Sequence, residues 1–162
     1  VKLDMTKAYD RVEWMFLEQM LAKYGFAEGW IRMVMRCVTF AHFTVKLNGG
    51  LSRGFVPSRG LRQGDPLSPY LFLFCVEGFS AMLKKAQAEG SIKGVGFGST
   101  GPQVTHLLFA DDCLLFSRAT VDHAAQLNKI LNEYCQASGQ RINHEKSSGF
   151  WGKAAQALAE IQ

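Results

Sequence analysis

The stretch HLLFADDCLLF, residues 106–116, places two adjacent aspartates, Asp111 and Asp112, in the middle of an apolar run. Two apolar strands that meet at this pair account for such a stretch, so we predict a hairpin over 104–117. Adjacent ionised carboxylates repel each other, and each resists removal from water unless a positive charge lies close by. A solvated turn that carries two acids is the ordinary explanation, because aspartate is a favoured turn residue. A bound divalent cation is the alternative.

A metal site would need a third carboxylate, because one hairpin cannot supply the whole ligand shell. Asp4 is the best candidate, since it ends the short apolar stretch VKLD, where a neighbouring strand could bring it to the turn. Hard oxygen ligands without a cysteine or histidine cluster favour magnesium over zinc. Asp4, Asp111 and Asp112 are therefore the candidate ligands if the pair binds a cation, and the solvated turn stays open at this point.

Length and composition favour one domain. The chain has 162 residues, of which 48% are hydrophobic, enough to bury a sizeable core. Its formal net charge of +4 permits a polyanionic partner without requiring one. The four cysteines have no metal-ligand spacing and indicate a reduced, intracellular protein. The apolar run 67–83 contains Glu77 and Gly78, so it indicates a buried helix and no membrane span.

The spacing of apolar residues predicts a mixture of helices and strands. Helices are predicted from a cap at Asp10 to a stop at Gly25, over 30–40, from a cap at Asp65 to Gly90, and over 120–138. Strands are predicted at 1–4, in a hairpin over 43–56 that turns at 48–50, over 104–117 and over 140–151. The stretch 94–102 is predicted to be a loop, and the last ten residues a frayed helical tail. This order indicates an α+β fold, an antiparallel sheet with helices packed on one face.

Three motifs follow one another along the chain: LDMTKAYD at 3–10, GLRQGDPLSPYLF at 60–72 and LLFADD at 107–112. Together they resemble the polymerase palm of reverse transcriptases, and are most similar to those of non-long-terminal-repeat (LINE-type) retrotransposons. Group II intron enzymes are more distant relatives. The resemblance runs from Leu3 to about Phe150 and includes a looser fourth motif, SGQRINHEKS at 138–147.

The resemblance implies an RNA-directed DNA polymerase, a nucleotidyltransferase that adds a dNTP to a DNA primer on an RNA template. Asp4 and Asp111 would be direct ligands of two Mg²⁺ ions, which Mn²⁺ could replace, and Asp112 a supporting ligand. Gln63 and Gly64 would help to place the template and the incoming nucleotide. Lys146 would lie near the triphosphate. A parent protein of this kind is expected in the nucleus.

Two neighbouring residues separate a DNA polymerase from an RNA polymerase. The resemblance makes Tyr9 a steric gate against a ribose 2′-hydroxyl, so the expected product is DNA. Asp10 could imitate a second catalytic aspartate of viral RNA polymerases, but we assign it to capping the following helix. Arg59 precedes the second motif and Arg62 lies within it. Two interpretations stay open for these arginines: contact with phosphate oxygens of the template or the triphosphate, or ordinary surface charge.

The resemblance also implies parts that the sequence does not contain. We expect residues 1–162 to be a single palm fragment, without the fingers that precede a palm and the thumb that follows it. A catalytically silent relic that at most binds nucleic acid is the competing hypothesis. The intact Asp4, Tyr9, Gln63, Asp111 and Asp112 argue against it.

Overall fold

The computed structural model describes residues 1–96 and 101–149. Its elements are β1 (Lys2–Leu3), a 3-10 turn (Tyr9–Arg11), α1 (Trp14–Lys23), α2 (Glu28–Thr39), β2 (Lys46–Leu47), β3 (Gly50–Leu51), α3 (Ser68–Ala88), β4 (Val95–Gly96), β5 (Gln103–Val104), β6 (His106–Phe109), β7 (Asp112–Leu115) and α4 (Val121–Ser138). All strand pairs are antiparallel within the described ranges. Four helices and short antiparallel strands confirm the predicted α+β class.

The central sheet has the strand order β1–β7–β6. In its register, Cys113 of β7 pairs with Leu3 on one side and with Leu108 on the other. Side chains alternate across β7, so that Cys113 is buried while Asp112 and Leu114 are exposed. Helix α3 contacts β6, and the buried residues of helices and sheet form one hydrophobic cluster. The helices therefore cover one face of the sheet, as predicted.

Helix α3 is the centre of the hydrophobic core. Its residues Phe72, Cys75, Phe79 and Leu83 are each at most 2% exposed and repeat at intervals of three and four, which is the spacing of one helix face. The helix packs against α1 and α4. The apolar run that includes these residues is therefore a buried helix. None of the described helices is long and apolar enough to cross a bilayer.

Local signals set the ends of α4 and the turn of the β2–β3 hairpin. The Thr120 hydroxyl accepts a hydrogen bond from the backbone N–H of His123 at 3.3 Å, and Gly139 ends the helix with a left-handed φ of +79°. Asn48 and Gly49 also have positive φ, +48° and +86°, as a two-residue hairpin turn requires. Helix α4 begins within one residue of its predicted start, and the hairpin turns within the predicted 48–50. The paired strands of this hairpin, 46–47 and 50–51, are shorter than the predicted 43–56, with an isolated bridge between Phe43 and Phe55.

The prediction that Asp10 caps α1 is wrong. Asp10 lies in the 3-10 turn, and Glu13 occupies the N-cap position without a side-chain capping hydrogen bond. The carboxylate of Glu13 instead pairs with Arg59, from a segment 46 residues away. Tertiary contacts thus replace the local capping box at this helix end.

Helix α3 begins at Ser68, slightly later than the predicted start at Pro66. The Asp65 carboxylate accepts the backbone N–H of Leu67 at 2.8 Å, so it closes the turn that precedes the helix. The predicted loop over 94–102 is also partly corrected, since Val95–Gly96 pairs with Gln103–Val104. Residues 97–100 lie outside the described ranges.

We predicted a last strand over 140–151, but the described part of this stretch, 140–149, forms only two isolated bridges, Met5 to Ile142 and Lys2 to Ser148. The Asn143 side-chain oxygen accepts the backbone N–H groups of Glu145 (3.2 Å) and Lys146 (3.4 Å), which turns the chain between the bridges. The predicted residues 150 and 151 and the predicted helical tail lie outside the described ranges.

Candidate active site

The paired aspartates lie at the tip of the β6–β7 hairpin. Phe109 pairs with Asp112, which leaves Ala110 and Asp111 as a two-residue turn. Ala110 has a left-handed φ of +51°, which is unusual for a residue with a Cβ and costs backbone energy. Both aspartates are exposed. The hairpin therefore presents two adjacent carboxylates to solvent at one end of the sheet.

The strand β1 brings Asp4 to the same end. Leu3 pairs with Cys113, so in this antiparallel register Asp4, which follows Leu3, lies opposite Asp112, which precedes Cys113. Asp4 is half-buried, and its backbone is held from the other side of β1. Its N–H donates to the Ser147 hydroxyl at 3.1 Å, and its carbonyl accepts from Asn143 N–H at 2.9 Å.

The three carboxylates share an end of the sheet, but their side chains do not converge. Within residues 1–96 and 101–149, no group of three His, Cys, Asp or Glu side chains has a metal-ligating arrangement. The carboxylate of Asp112 lies 3.7 Å from the Lys2 ammonium, with 60% and 47% of the two side chains exposed. Because exposed ion pairs contribute little free energy, this pairing holds Asp112 only weakly.

The chemistry of these side chains fits a hard divalent cation. Asp4, Asp111 and Asp112 offer only carboxylate oxygens, the ligands that magnesium prefers. The neighbouring thiol of Cys113 is not a competing soft ligand, because it is buried on the face of β7 opposite to that of the exposed Asp112. The set therefore suits Mg²⁺ or Mn²⁺ better than zinc.

The second motif packs beside the segment that follows Asp4. Gly60 N–H donates to the Val12 carbonyl and Leu61 N–H to the Tyr9 carbonyl, both at 2.8 Å. The indole N–H of Trp14 donates to the Gly60 carbonyl at 2.7 Å. These three bonds fix the start of the second motif against the 3-10 turn.

Two predicted nucleotide-binding residues lie at this junction. The Tyr9 ring stacks on Phe72, with centroids 4.6 Å apart and planes inclined by 15°. The Gln63 side-chain amide donates to the Asp10 carboxylate at 3.3 Å. Gly64, next along the chain, has φ of +85° with open space where a Cβ would lie. Asp10 is thus a partner of Gln63, a role that its sequence neighbours did not reveal.

The other predicted contact residues are Arg59, Arg62 and Lys146. Arg59 forms an ion pair with Glu13 at 3.1 Å, with both side chains about 40% exposed. Arg62 lines a cleft of about 180 Å³ between the end of α2 and the start of α3. Lys146 is exposed in the turn whose Asn143 and Ser147 hold the backbone of Asp4.

Comparison with known proteins identifies the family of the chain. Residues 1–158 match the family described as reverse transcriptase (RNA-dependent DNA polymerase). An uncharacterized mitochondrial protein of Arabidopsis thaliana is 50% identical over 103 residues, which are 63% of this chain and 83% of that protein. The Pol polyprotein of a type-2 retrotransposable element of Drosophila melanogaster is 31% identical over 144 residues, 89% of this chain. The chain spans only 13% of that polyprotein.

The fold is similar to that of a solved polymerase structure. A telomerase from Candida tropicalis, in complex with a fragment of telomeric RNA, superposes with a TM-score of 0.67 and 21% identity over 94% of this chain and 26% of that one. The sheet, the covering helices and the carboxylates at one sheet end thus define a polymerase palm. The chain belongs to the reverse transcriptase family.

Proposed function

We propose that this chain is the palm of an RNA-directed DNA polymerase from a LINE-type retrotransposon. The observation that carries the proposal is the register that places Asp4 beside the Asp111–Asp112 hairpin. The substrates would be an RNA template, a DNA primer and a dNTP. Fingers and a thumb would come from the parent polypeptide. Localisation of that polypeptide in the nucleus stays a prediction.

Asp4, Asp111 and Asp112 would hold two Mg²⁺ ions, with Mn²⁺ as a substitute. When bound, such ions lower the pKa of a primer 3′-hydroxyl and neutralise the phosphates of the leaving pyrophosphate. The chain itself contributes the positions of the carboxylates. Asn143 and Ser147 fix the backbone of Asp4, while the turn fixes that of Asp111.

The nucleotide would bind against the second motif. Gln63 and Gly64 lie next to the 3-10 turn, where their backbone can approach a base pair closely, and Lys146 extends from the turn beside Asp4. Arg59 can contact a phosphate only by leaving its ion pair with the Glu13 carboxylate, whereas Arg62 is exposed beside the cleft between α2 and α3. We assign these two arginines to the template side.

Removing the Tyr9 ring should relax the choice of sugar. The ring is held on Phe72, so in a steric gate it cannot easily swing aside for a 2′-hydroxyl. We expect Tyr9→Ala to lower the preference for dTTP over UTP at least tenfold, on the order of what one well-shaped pocket contact provides. The measurement is the ratio of kcat/KM values for the two nucleotides. Tyr70→Ala, which removes an exposed ring on α3, is the matched control, and an unchanged ratio in Tyr9→Ala would refute the gate.

The competing function is a silent relic that binds nucleic acid without polymerising. The net charge of +4 permits such binding, which would depend on salt but not on magnesium. With an intact active site, nucleic-acid binding should depend on salt and nucleotide incorporation should depend on magnesium.

The test is magnesium-dependent incorporation of dTTP on a poly(rA)/oligo(dT) primer-template by the natural polypeptide that contains this chain. Wild-type protein should incorporate dTTP, and the double substitution Asp111→Asn with Asp112→Asn should abolish incorporation while leaving nucleic-acid binding in place. A folded wild-type protein that binds the primer-template but incorporates nothing would favour the relic.

A further inference from the structure

Gln140 is a buried polar residue between α4 and the turn that holds Asp4. Only 4% of it is exposed, and its side-chain N–H donates to the Ala8 carbonyl at 2.8 Å. Because a carbonyl can only accept, the amide nitrogen must face Ala8, which fixes the amide orientation. Its oxygen, Oε1, is then directed elsewhere. That atom is buried and has no hydrogen-bond donor among the described residues.

The unpaired oxygen belongs to a residue that lines the same small cavity as the paired aspartates. The cavity has a volume of about 20 Å³, and its lining includes Gln140, Asp111, Asp112, Met5 and Tyr134. The Tyr134 hydroxyl is not free to serve the amide, since it donates to the Cys75 carbonyl at 3.4 Å. Buried polar atoms in native proteins almost always have partners. A volume of this size has room for one water molecule.

Gln140 also lies in the middle of a continuous series of contacts along the Asp4 segment. On one side of it, the Arg11 side chain donates to the Gly139 carbonyl at 3.0 Å. On the other side, Thr6 N–H donates to the Arg141 carbonyl at 2.8 Å. Its bond to Ala8 is thus the buried one in a series of hydrogen bonds that joins residues 139–143 to the segment between Asp4 and the 3-10 turn.

We propose that Gln140 is a positioning residue for the polymerase reaction, an inference that rests on the proposed function. Its amide N–H fixes the segment between Asp4 and Tyr9 through Ala8. Its Oε1 accepts one proton of a water molecule, whose second proton is available to a carboxylate of the Asp111–Asp112 pair. Gln140 therefore links the first and third motifs from outside the metal ligands.

The test replaces Gln140 with methionine, which is similar in length but lacks both amide atoms. We expect Gln140→Met to lower kcat for dTTP incorporation roughly tenfold or more, the scale seen when a residue that orients metal ligands is lost. The KM for dTTP should change less than about twofold, and the half-saturating Mg²⁺ concentration should rise. Mn²⁺ binding to the complex with primer-template and dTTP, followed by electron paramagnetic resonance, should weaken in parallel.

Gln136→Met is the matched control, because it makes the same change at an exposed position four residues earlier, within α4. Wild-type kcat and metal affinity in folded Gln140→Met would overturn the inference while leaving the proposed function intact. Should that variant not fold, Gln140→Glu keeps the length and the oxygen but loses the N–H. Because a protonated glutamate could still donate to Ala8, the assay is run over a pH series. Wild-type behaviour of Gln140→Glu also at alkaline pH, where the carboxyl is ionised, would overturn the role assigned to the Ala8 bond. A wild-type protein without activity would overturn both proposals.

Discussion

Asp4→Asn should lower dTTP incorporation by at least roughly 100-fold. Loss of a residue that only orients a metal ligand costs about 10–100-fold, and loss of a direct ligand should cost more. Asp4 lies beside the Asp111–Asp112 hairpin in the sheet register, so an amide there removes one charge from the proposed metal site while its shape is kept. The backbone bonds to Asn143 and Ser147 do not involve the carboxylate and should survive. Folding should therefore be unaffected.

The measurement is kcat/KM for dTTP at saturating primer-template, together with the Mg²⁺ dependence. Asp122→Asn is the matched control, since it makes the same change at an exposed residue in the first turn of α4. Activity within about twofold of wild type is expected for this control, because no contact to the sheet end is altered. Comparable activity in Asp4→Asn and Asp122→Asn would remove Asp4 from the metal site.

Gly60→Ala should destabilise the domain strongly. Gly60 has φ of +94°, and a Cβ there would lie 2.7 Å from the Asp10 carbonyl oxygen, which is a backbone atom and cannot turn away. The left-handed conformation alone costs a non-glycine residue roughly 1–2 kcal/mol. Displacing Gly60 would also weaken its bonds to Val12 and Trp14, each contributing about 1 kcal/mol. We therefore expect a total loss of roughly 3–4 kcal/mol.

Gly25→Ala isolates the conformational part of this loss, because Gly25 has φ of +83° with open space around a built Cβ. The Gly60 variant should unfold at a lower temperature than the Gly25 variant by roughly 4–8 °C, given about 2–4 °C per kcal/mol. Thermal denaturation followed by near-ultraviolet circular dichroism measures the difference. Equal melting temperatures would show that the second motif is not fixed by its approach to Asp10.

Much of the fold could be predicted where the signals are local. The spacing of Phe72, Cys75 and Phe79 identified a buried helix, and Thr120 and Gly139 marked the ends of α4. These features depend on residues within one or two turns of each other, so a sequence carries them directly.

The errors have two causes, which are competition from distant segments and a local turn that was overlooked. Asp10 and Glu13 have the sequence spacing of a capping box, but Gln63 and Arg59 take their carboxylates instead. The predicted last strand is interrupted because Asn143 turns the chain. The first outcome cannot be read from a window of neighbouring residues, because it depends on which segments pack together. The second is local, because Asn143 bonds to N–H groups two and three residues further along the chain, a turn signal that the strand prediction overlooked.

In the candidate site, too, some features could be predicted from the sequence and others could not. The acidic residues of the motifs pointed to Asp4 and the Asp111–Asp112 pair, and the register of β1 and β7 places their backbones at one sheet end. The ion pair between Lys2 and Asp112 was not predicted, since it depends on side-chain rotamers at the end of the sheet. Gln140 lies within the fourth motif, but its role was not predicted, because glutamine is common at surfaces and its burial became visible only in the structure.

The most direct test of the central claim is a count of the metal ions that the carboxylates hold. Mn²⁺ would be titrated into the natural polypeptide with RNA template, a dideoxy-terminated primer and dTTP, and free Mn²⁺ followed by electron paramagnetic resonance. After subtraction of Mn²⁺ bound by the nucleic acid and nucleotide alone, wild-type protein should hold two ions, and the Asp111→Asn, Asp112→Asn variant should lose at least one. Equal binding by the two proteins would contradict the assignment of this sheet end as the metal site of a reverse transcriptase.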